Sequence, residues 1–310
     1  MRVFVTGATG FIGSAVVQEL IEAGHHVIGM ARSDAGAKSL AATGAQVRRG
    51  DLEDLESLRT GAAAADAVIH LAFNHDFSQY AANCEADRRA IEALGGALAG
   101  SDRLLIVTSG TGLASSKPGL PSTEDDPPLG SKIIPRASEE AAASVAERGV
   151  RVATVRLPQV HDTVKQGLVT YAIQVAREKG VAAYVGDGRN RWPAAHVLDT
   201  ARLYLLALEK GDGGVRYHAV AEEGVAVRDI AETIGRGLGV PVISIAPEES
   251  AAHFGWLGAF AARDVPASSA HTRKELGWTP VGPGLIADLE NMHYFETARG
   301  RELAAPALSR

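Results

Sequence analysis

Through the first half of the chain, short apolar runs alternate with segments of helical spacing. Val3-Phe4-Val5 opens the first run. Residues 14–23 then set Ala15, Val16, Leu20 and Ile21 among Gln18, Glu19 and Glu22, the three-to-four-residue repeat of an amphipathic helix. Gly24 follows, a residue that commonly ends a helix. Further strand-like runs lie at 26–30, 46–49, 67–71, 104–107 and 150–155. Between them, 35–43, 55–63, 79–98 and 138–147 have helical composition. Repeated strand–helix units of this length predict a parallel sheet covered on both faces. Right-handed crossovers make it doubly wound.

The second half is less regular. Helical patterns occupy 166–179, 200–209 and 228–238, and strand patterns 182–185, 216–220 and 242–245. A turn at Gly186-Asp187-Gly188 and a polar loop over 115–128 separate some of them. Such a mixed region suits a smaller domain beside the sheet.

The first strand runs directly into Thr6-Gly7-Ala8-Thr9-Gly10-Phe11-Ile12-Gly13. A tight turn needs Gly7, close approach of backbone to phosphate needs Gly10, and close packing of helix on strand needs Gly13. The helix N-terminus presents unpaired N–H groups and a positive dipole end to an anion. The spacing is G-x-x-G-x-x-G, and a glycine triplet by itself is often only a turn. Here a strand precedes it, a helix follows and a further strand continues the unit. The expectation is an α/β chain with a Rossmann-type doubly wound parallel sheet and a smaller mixed C-terminal substrate-side domain. Residues 1–165 form the dinucleotide-binding domain, completed by about 194–220, and 166–310 form mainly the interleaved substrate side.

NAD enzymes usually place an acid about 20 residues past the glycines, to hold the ribose 2′-OH. Here that place reads Met30-Ala31-Arg32-Ser33. Arg32 and Ser33 suit a 2′-phosphate through charge-assisted hydrogen bonds. NADP(H) is therefore expected, with NAD(H) as the alternative. Asp34, one step on, complicates this, and Arg32 can also be read as a solvated surface residue.

Composition narrows the function classes. At 310 residues the chain can bury a large core, and 46% apolar with 22% charged residues is ordinary for a globular protein. A net charge of −6 gives no nucleic-acid footprint. No apolar run approaches the ~20 residues of a membrane span, and the N-terminal pattern is a strand rather than a signal peptide. One cysteine, Cys84, excludes an internal disulfide and disfavours a thiolate metal site, so no metal is expected and a cytoplasmic protein fits. The chain has no G-x-x-x-x-G-K-[ST] loop, no H-E-x-x-H and no G-x-S-x-G elbow. The expected partner is a small-molecule substrate.

Gly7-x-x-Gly10-x-x-Gly13, Gly50-Asp51-Leu52, Leu71-Ala72, Thr108-Ser109, Arg156-Leu157-Pro158 and His196-Val197-Leu198-Asp199 follow one another over nearly the whole chain. In that order they resemble the extended short-chain dehydrogenase/reductases, the epimerase/dehydratase group. The resemblance implies a cofactor set of Gly7, Thr9, Gly10, Phe11, Ile12, Gly13, Arg32 and Ser33 around the phosphates. Asp51 and Leu52 would meet adenine, although Asp51 could equally cap the helix starting near Leu52. Leu71, Ala72 and Phe73 would line the ribose and pyrophosphate. Thr108 and Ser109 would lie beside the nicotinamide, and Pro158, Gln159 and Val160 against its carboxamide. His196 and Asp199 would be structural or substrate-side. The resemblance also implies a homodimer, through helices 79–98 and 138–147.

One departure is sharp. The family's signature is a serine after the strand matching 104–107 and then Tyr-x-x-x-Lys, with tyrosine as general acid/base. Between Val107 and Arg156 this chain has no tyrosine. Pro135 stands where Tyr would be, Glu139 where Lys would be, and Gly110 at the serine. The chain thus resembles an atypical member that keeps the cofactor fold and lacks the usual proton relay.

Substitute proton donors are Thr111, beside the missing serine, His75 in the loop after the strand at 67–71, and His161 after Arg156-Leu157-Pro158. An imidazole titrates in a range that suits acid/base work. Each also has an ordinary structural reading: a turn threonine, a surface loop histidine, a packed histidine. Tyr80 is a further proton-donor candidate or a core residue, Lys132 and Arg136 could hold a ribose or an anionic substrate, and Arg189, Arg191 and Trp192 could contact an acidic or aromatic substrate or line the domain interface. Three functions follow: an NADP(H)-dependent reductase of C=O, C=N or activated C=C; a non-catalytic NADP(H)-binding redox sensor; and, depending most on the absent base, an NAD-dependent epimerase or dehydratase.

Overall fold

The computed structural model describes residues 1–114, 116–130 and 137–292. The chain begins β1 (Arg2–Thr6), α1 (Phe11–Glu22), β2 (His26–Ala31), α2 (Asp34–Ala42), β3 (Gln46–Arg49), α3 (Leu55–Ala63), β4 (Ala67–His70), α4 (Tyr80–Leu98), β5 (Leu104–Gly110), α5 (Ser138–Glu147) and β6 (Arg151–Leu157). It continues β7 (Gln159–His161), α6 (Val169–Lys179), β8 (Ala182–Val185), β9 (Arg191–His196), α7 (Val197–Lys210), β10 (Arg216–His218), β11 (Glu222–Ala226), α8 (Val227–Leu238) and β12 (Val242–Ile245). Four short helices follow: α9 (Ser250–Phe254), α10 (Gly258–Ala261), α11 (Ala270–Leu276) and α12 (Leu285–Glu290).

Two compact units emerge. The first comprises Met1–Pro158, Val197–Val220 and Ala267–Val281. Its seven strands run β10-β6-β5-β4-β1-β2-β3, every pair parallel. Strand order reverses between β1 and β4, the place where doubly wound sheets bind ligands beyond the carboxyl ends of their strands. Alternation along β1 assigns its residues to opposite faces. Val3 and Val5 join a core with Val16, Val17 and Leu20 of α1 and Leu203 and Leu206 of α7. Phe4 joins the other, with Leu58 of α3, Ile91 and Leu94 of α4 and Val145 of α5. With both faces covered, these strands read as unbroken apolar runs, which is the α/β Rossmann-type class expected from the pattern.

The second unit comprises Gln159–His196, Ala221–Pro266 and Gly282–Arg310. It holds a three-stranded sheet, β11-β9-β7, with β11 antiparallel and β7 parallel to β9, and a parallel pair, β12-β8. Ile173, Trp192, Ile230, Ile234, Phe254 and Leu285 meet in its core. The sequence pattern missed the three-stranded sheet. β9 carries Pro193, which weighs against a central strand; β11 begins Glu222-Glu223-Gly224; β7 has three residues.

Candidate functional site

The glycine turn is set by backbone contact. Gly7 has φ +67°, and a Cβ there would lie 2.8 Å from the Ala72 nitrogen. Gly13 packs closer still, since its Cβ would fall 2.0 Å from the Gly7 carbonyl oxygen. Gly10 is less confined, at 3.2 Å from the same oxygen, and its N–H donates to that carbonyl at 2.9 Å. Gly10 is also the N-cap of α1, and no side chain caps this helix. Thr9 and Gly10 are exposed, while Phe11 and Ile12 are half-buried.

Charges of both signs gather beyond β2 and β3. The Arg32 side chain is 81% exposed, its Nε 3.9 Å from Asp51 Oδ2. Ser33 caps α2, its Oγ accepting the Gly36 N–H at 3.1 Å, so the hydroxyl proton is left to donate. Asp34 is paired with Arg49 at 3.1 Å. Asp51 Oδ1 accepts the Glu53 N–H, whereas α3 is capped by Asp54, which accepts the Ser57 N–H at 3.1 Å. Leu52 is half-buried, as are Leu71, Ala72 and Phe73 after β4.

The start of α5 carries a buried ion pair. Glu139, in the first turn of α5, is buried and joined to fully buried Arg156 of β6. Arg156 Nε donates to Oε1 at 2.8 Å and Nη2 to Oε2 at 2.7 Å, a two-point pair. Ser109 Oγ donates to the same Oε1 at 2.8 Å. Arg156 also donates to the Asp126 carbonyl at 2.9 Å and, through Nη1, toward His218 Nε2 at 3.3 Å. His218 Nδ1 donates to the Ser268 carbonyl at 2.8 Å, which leaves Nε2 as the acceptor. Burial pushes the His218 imidazole down to about 4; Glu124 opposes this and the Arg156 charge adds to it. Thr108, next to Ser109, shares a 2.7 Å hydrogen bond with the Tyr204 hydroxyl.

The candidate proton donors lie in different surroundings. Thr111 is buried and donates to the Leu157 carbonyl at 3.3 Å. His75 is exposed, with ring contacts to Phe73 at 5.2 Å and Phe77 at 6.1 Å. Tyr80 packs on the same two phenylalanines. In the second unit, His161 of β7 is fully buried, its Nδ1 2.7 Å from Asp288 Oδ2 of α12. Its Nε2 is sealed from solvent with no hydrogen-bond partner. Burial lowers the His161 pKa, and Asp288 works against that shift. His196 lies opposite His161 in register, the rings 5.9 Å apart. Pro158 follows β6, Val160 is buried in β7, and Gln159 accepts the Leu168 N–H. Arg191 is tied to Asp264, Trp192 is buried, and Arg189 stays exposed beside Asp187. Asp199 is buried and accepts the Val281 N–H. Lys132 and Arg136, with Pro135, lie outside the described residues. Among the described residues no group of three or more His, Cys, Asp or Glu could hold a metal ion.

The sequence model for the NAD dependent epimerase/dehydratase family matches residues 3–221. The chain belongs to that family. Uncharacterized protein C2A9.02 of Schizosaccharomyces pombe is 47% identical, the match covering 95% of this chain and 100% of the relative. YLL056C of Saccharomyces cerevisiae, also uncharacterized, is 46% identical over 93% of this chain and 98% of its own. Among solved structures, a double mutant of DesIV, a dTDP-glucose 4,6-dehydratase from Streptomyces venezuelae with NAD and DAU bound, matches with a TM-score of 0.75. It is 22% identical, over 97% of this chain and 98% of that one.

Ser109, read from the sequence as a neighbour of the nicotinamide, is nearly buried and donates to Glu139. The motif Arg156-Leu157-Pro158 does not by itself show the pairing of Arg156 with Glu139. A signal existed: an arginine inside the buried strand Val152–Leu157 needs a buried acid, and Glu139-Glu140 supplies one 17 residues earlier.

Proposed function

We propose that the protein is an NADP(H)-linked oxidoreductase that reduces a C=O, C=N or activated C=C bond of a small organic molecule without the usual Tyr–Lys pair. The glycine turn carries this reading. Contacts of 2.8 and 2.0 Å leave no room for side chains at 7 and 13, and the turn delivers the chain into a helix N-terminus that no side chain caps. That arrangement fits a pyrophosphate. In this reading Gly10 lets the backbone approach the pyrophosphate, and the amides of Phe11 and Ile12 hold it. Arg32 and the Ser33 hydroxyl hold the 2′-phosphate, and Asp51 and Leu52 meet adenine. Leu71, Ala72 and Phe73 line the ribose and pyrophosphate side, with Thr108 and Ser109 near the nicotinamide. The bound cofactor supplies the hydride. The second unit is the substrate side.

For the proton we favour His75. It is exposed, whereas the Thr111 hydroxyl is committed to Leu157 and His161 Nε2 is sealed. It follows β4, at the reversal of strand order. The test is NADPH oxidation, followed at the nicotinamide absorbance band, with a panel of ketones, imines and enones. His75→Gln should lower kcat and leave NADPH affinity unchanged; full activity in that variant removes His75 from the scheme.

One observation favours a second reading. A glutamate bound to arginine at the lysine position fits a protein that binds NADP(H) as a redox sensor. Tight NADPH binding with no turnover across the panel would select it.

A further inference from the structure

Four side chains in the first unit are closed off from solvent and joined end to end. Thr6 ends β1, His70 ends β4, and the two lie opposite each other in register. Thr6 Oγ1 is 2.8 Å from His70 Nδ1, and His70 Nε2 is 3.1 Å from Asp87 Oδ1 on α4. Ser138, the first residue of α5, donates to Asp87 Oδ2 at 2.5 Å. None of the four is more than 1% exposed. At the other end, Thr6 Oγ1 accepts the Ala72 N–H at 3.3 Å.

Donor and acceptor inventories allow one set of directions in which all four side chains are partnered. A carboxylate only accepts, so His70 Nε2 carries the proton shared with Asp87. The Thr6 hydroxyl takes the Ala72 N–H on a lone pair and has one proton of its own, which goes to His70 Nδ1. In that arrangement both ring nitrogens are partnered. Reversing the ring tautomer would face a bare nitrogen against Asp87.

Ala72 is also the backbone that Gly7 touches. A Cβ on Gly7 would lie 2.8 Å from Ala72 N and 2.9 Å from its Cα. The turn and the loop after β4 are in contact, so a shift of one moves the other. Thr6 adjoins Gly7 in the chain and grips Ala72 through its side chain. We propose that His70 and Asp87 are positioning residues for the dinucleotide. Through the Thr6 hydroxyl they hold the Ala72 amide against the glycine turn, and so set the wall along which the cofactor lies. This rests on the cofactor reading above.

A network that merely filled the core would alter stability and leave the affinity of the folded protein unchanged. The test is an NADPH fluorescence titration of the full chain, with urea unfolding alongside, for wild type, Thr6→Val, Thr6→Ser and His70→Leu. Thr6→Val keeps the shape and orphans the buried His70 ring nitrogen and the half-buried Ala72 amide, so its Kd should rise roughly tenfold or more. Thr6→Ser restores the hydroxyl and should recover most of the affinity. His70→Leu should behave as Thr6→Val does. Wild-type affinity in Thr6→Val and His70→Leu overturns the proposal. Absence of NADPH and NADH binding in the wild type overturns both the proposal and the cofactor reading. Should Thr6→Val and His70→Leu not fold, Asp87→Asn is measured with the same expected and overturning outcomes.

Discussion

The buried pair Glu139–Arg156 sets the sharpest expectations for single residues. Removing one partner leaves the other charged inside the protein, a loss of about 3–5 kcal/mol. Glu139→Gln should lower the unfolding free energy by roughly that amount, read from the urea midpoint, and Glu139→Lys by at least as much. Glu139→Lys would place two cations together. His218 gives a pH dependence. Its folded value of about 4 lies below its unfolded value of about 6.5. Above that window both states are neutral and nothing is lost. As pH falls from 6.5 toward 4, the unfolded chain takes a proton that the folded chain resists, so stability declines. His161 is shifted in the same direction by burial. The urea midpoint should fall between pH 7 and pH 4.5, and His218→Asn should flatten that fall; an equal fall in the variant would remove His218 as a cause. At the cofactor edge, Arg32→Glu should weaken NADPH far more than NADH, and equal loss for both would sink the 2′-phosphate assignment.

Among elements, the β1–α1 unit was the most legible. Its strand is buried on both faces and so reads as an unbroken apolar run, and its helix carries a clean amphipathic stripe. Gly13 tests how tightly the two are joined. A methyl group there meets the Gly7 carbonyl oxygen at 2.0 Å, and backbone cannot give way as a flexible side chain can. Gly13→Ala should therefore cost at least the ~1–3 kcal/mol of ordinary overpacking and abolish dinucleotide binding; a variant that binds NADPH normally would contradict the geometry. Less of the second unit was legible. β9 hides behind Pro193 and β11 behind two glutamates, and α9, α10, α11 and α12 are too short for a helical period to show. The role of α5 was legible only as an absence. That its first turn anchors two buried networks, Ser138 to Asp87 and Glu139 to Arg156, depends on contacts across 51 and 17 residues, which no local pattern encodes.

At the scale of the whole molecule, the chain combines the family fold with a buried glutamate–arginine pair at the start of α5. The match over residues 3–221 and the seven-stranded parallel sheet give the class. No helix among the described residues is long and apolar enough to cross a membrane. A ligand that binds only the folded state stabilises it by about 2.7 kcal/mol at a hundredfold excess over Kd, so saturating NADPH should raise the melting temperature of the wild type and fail to do so in Gly13→Ala. The most direct test of the central claim is a parallel titration of the purified wild-type chain with NADPH and NADH, followed by nicotinamide fluorescence. The account predicts saturable binding of both, with NADPH the tighter; no binding of either, or NADH the tighter, would contradict it.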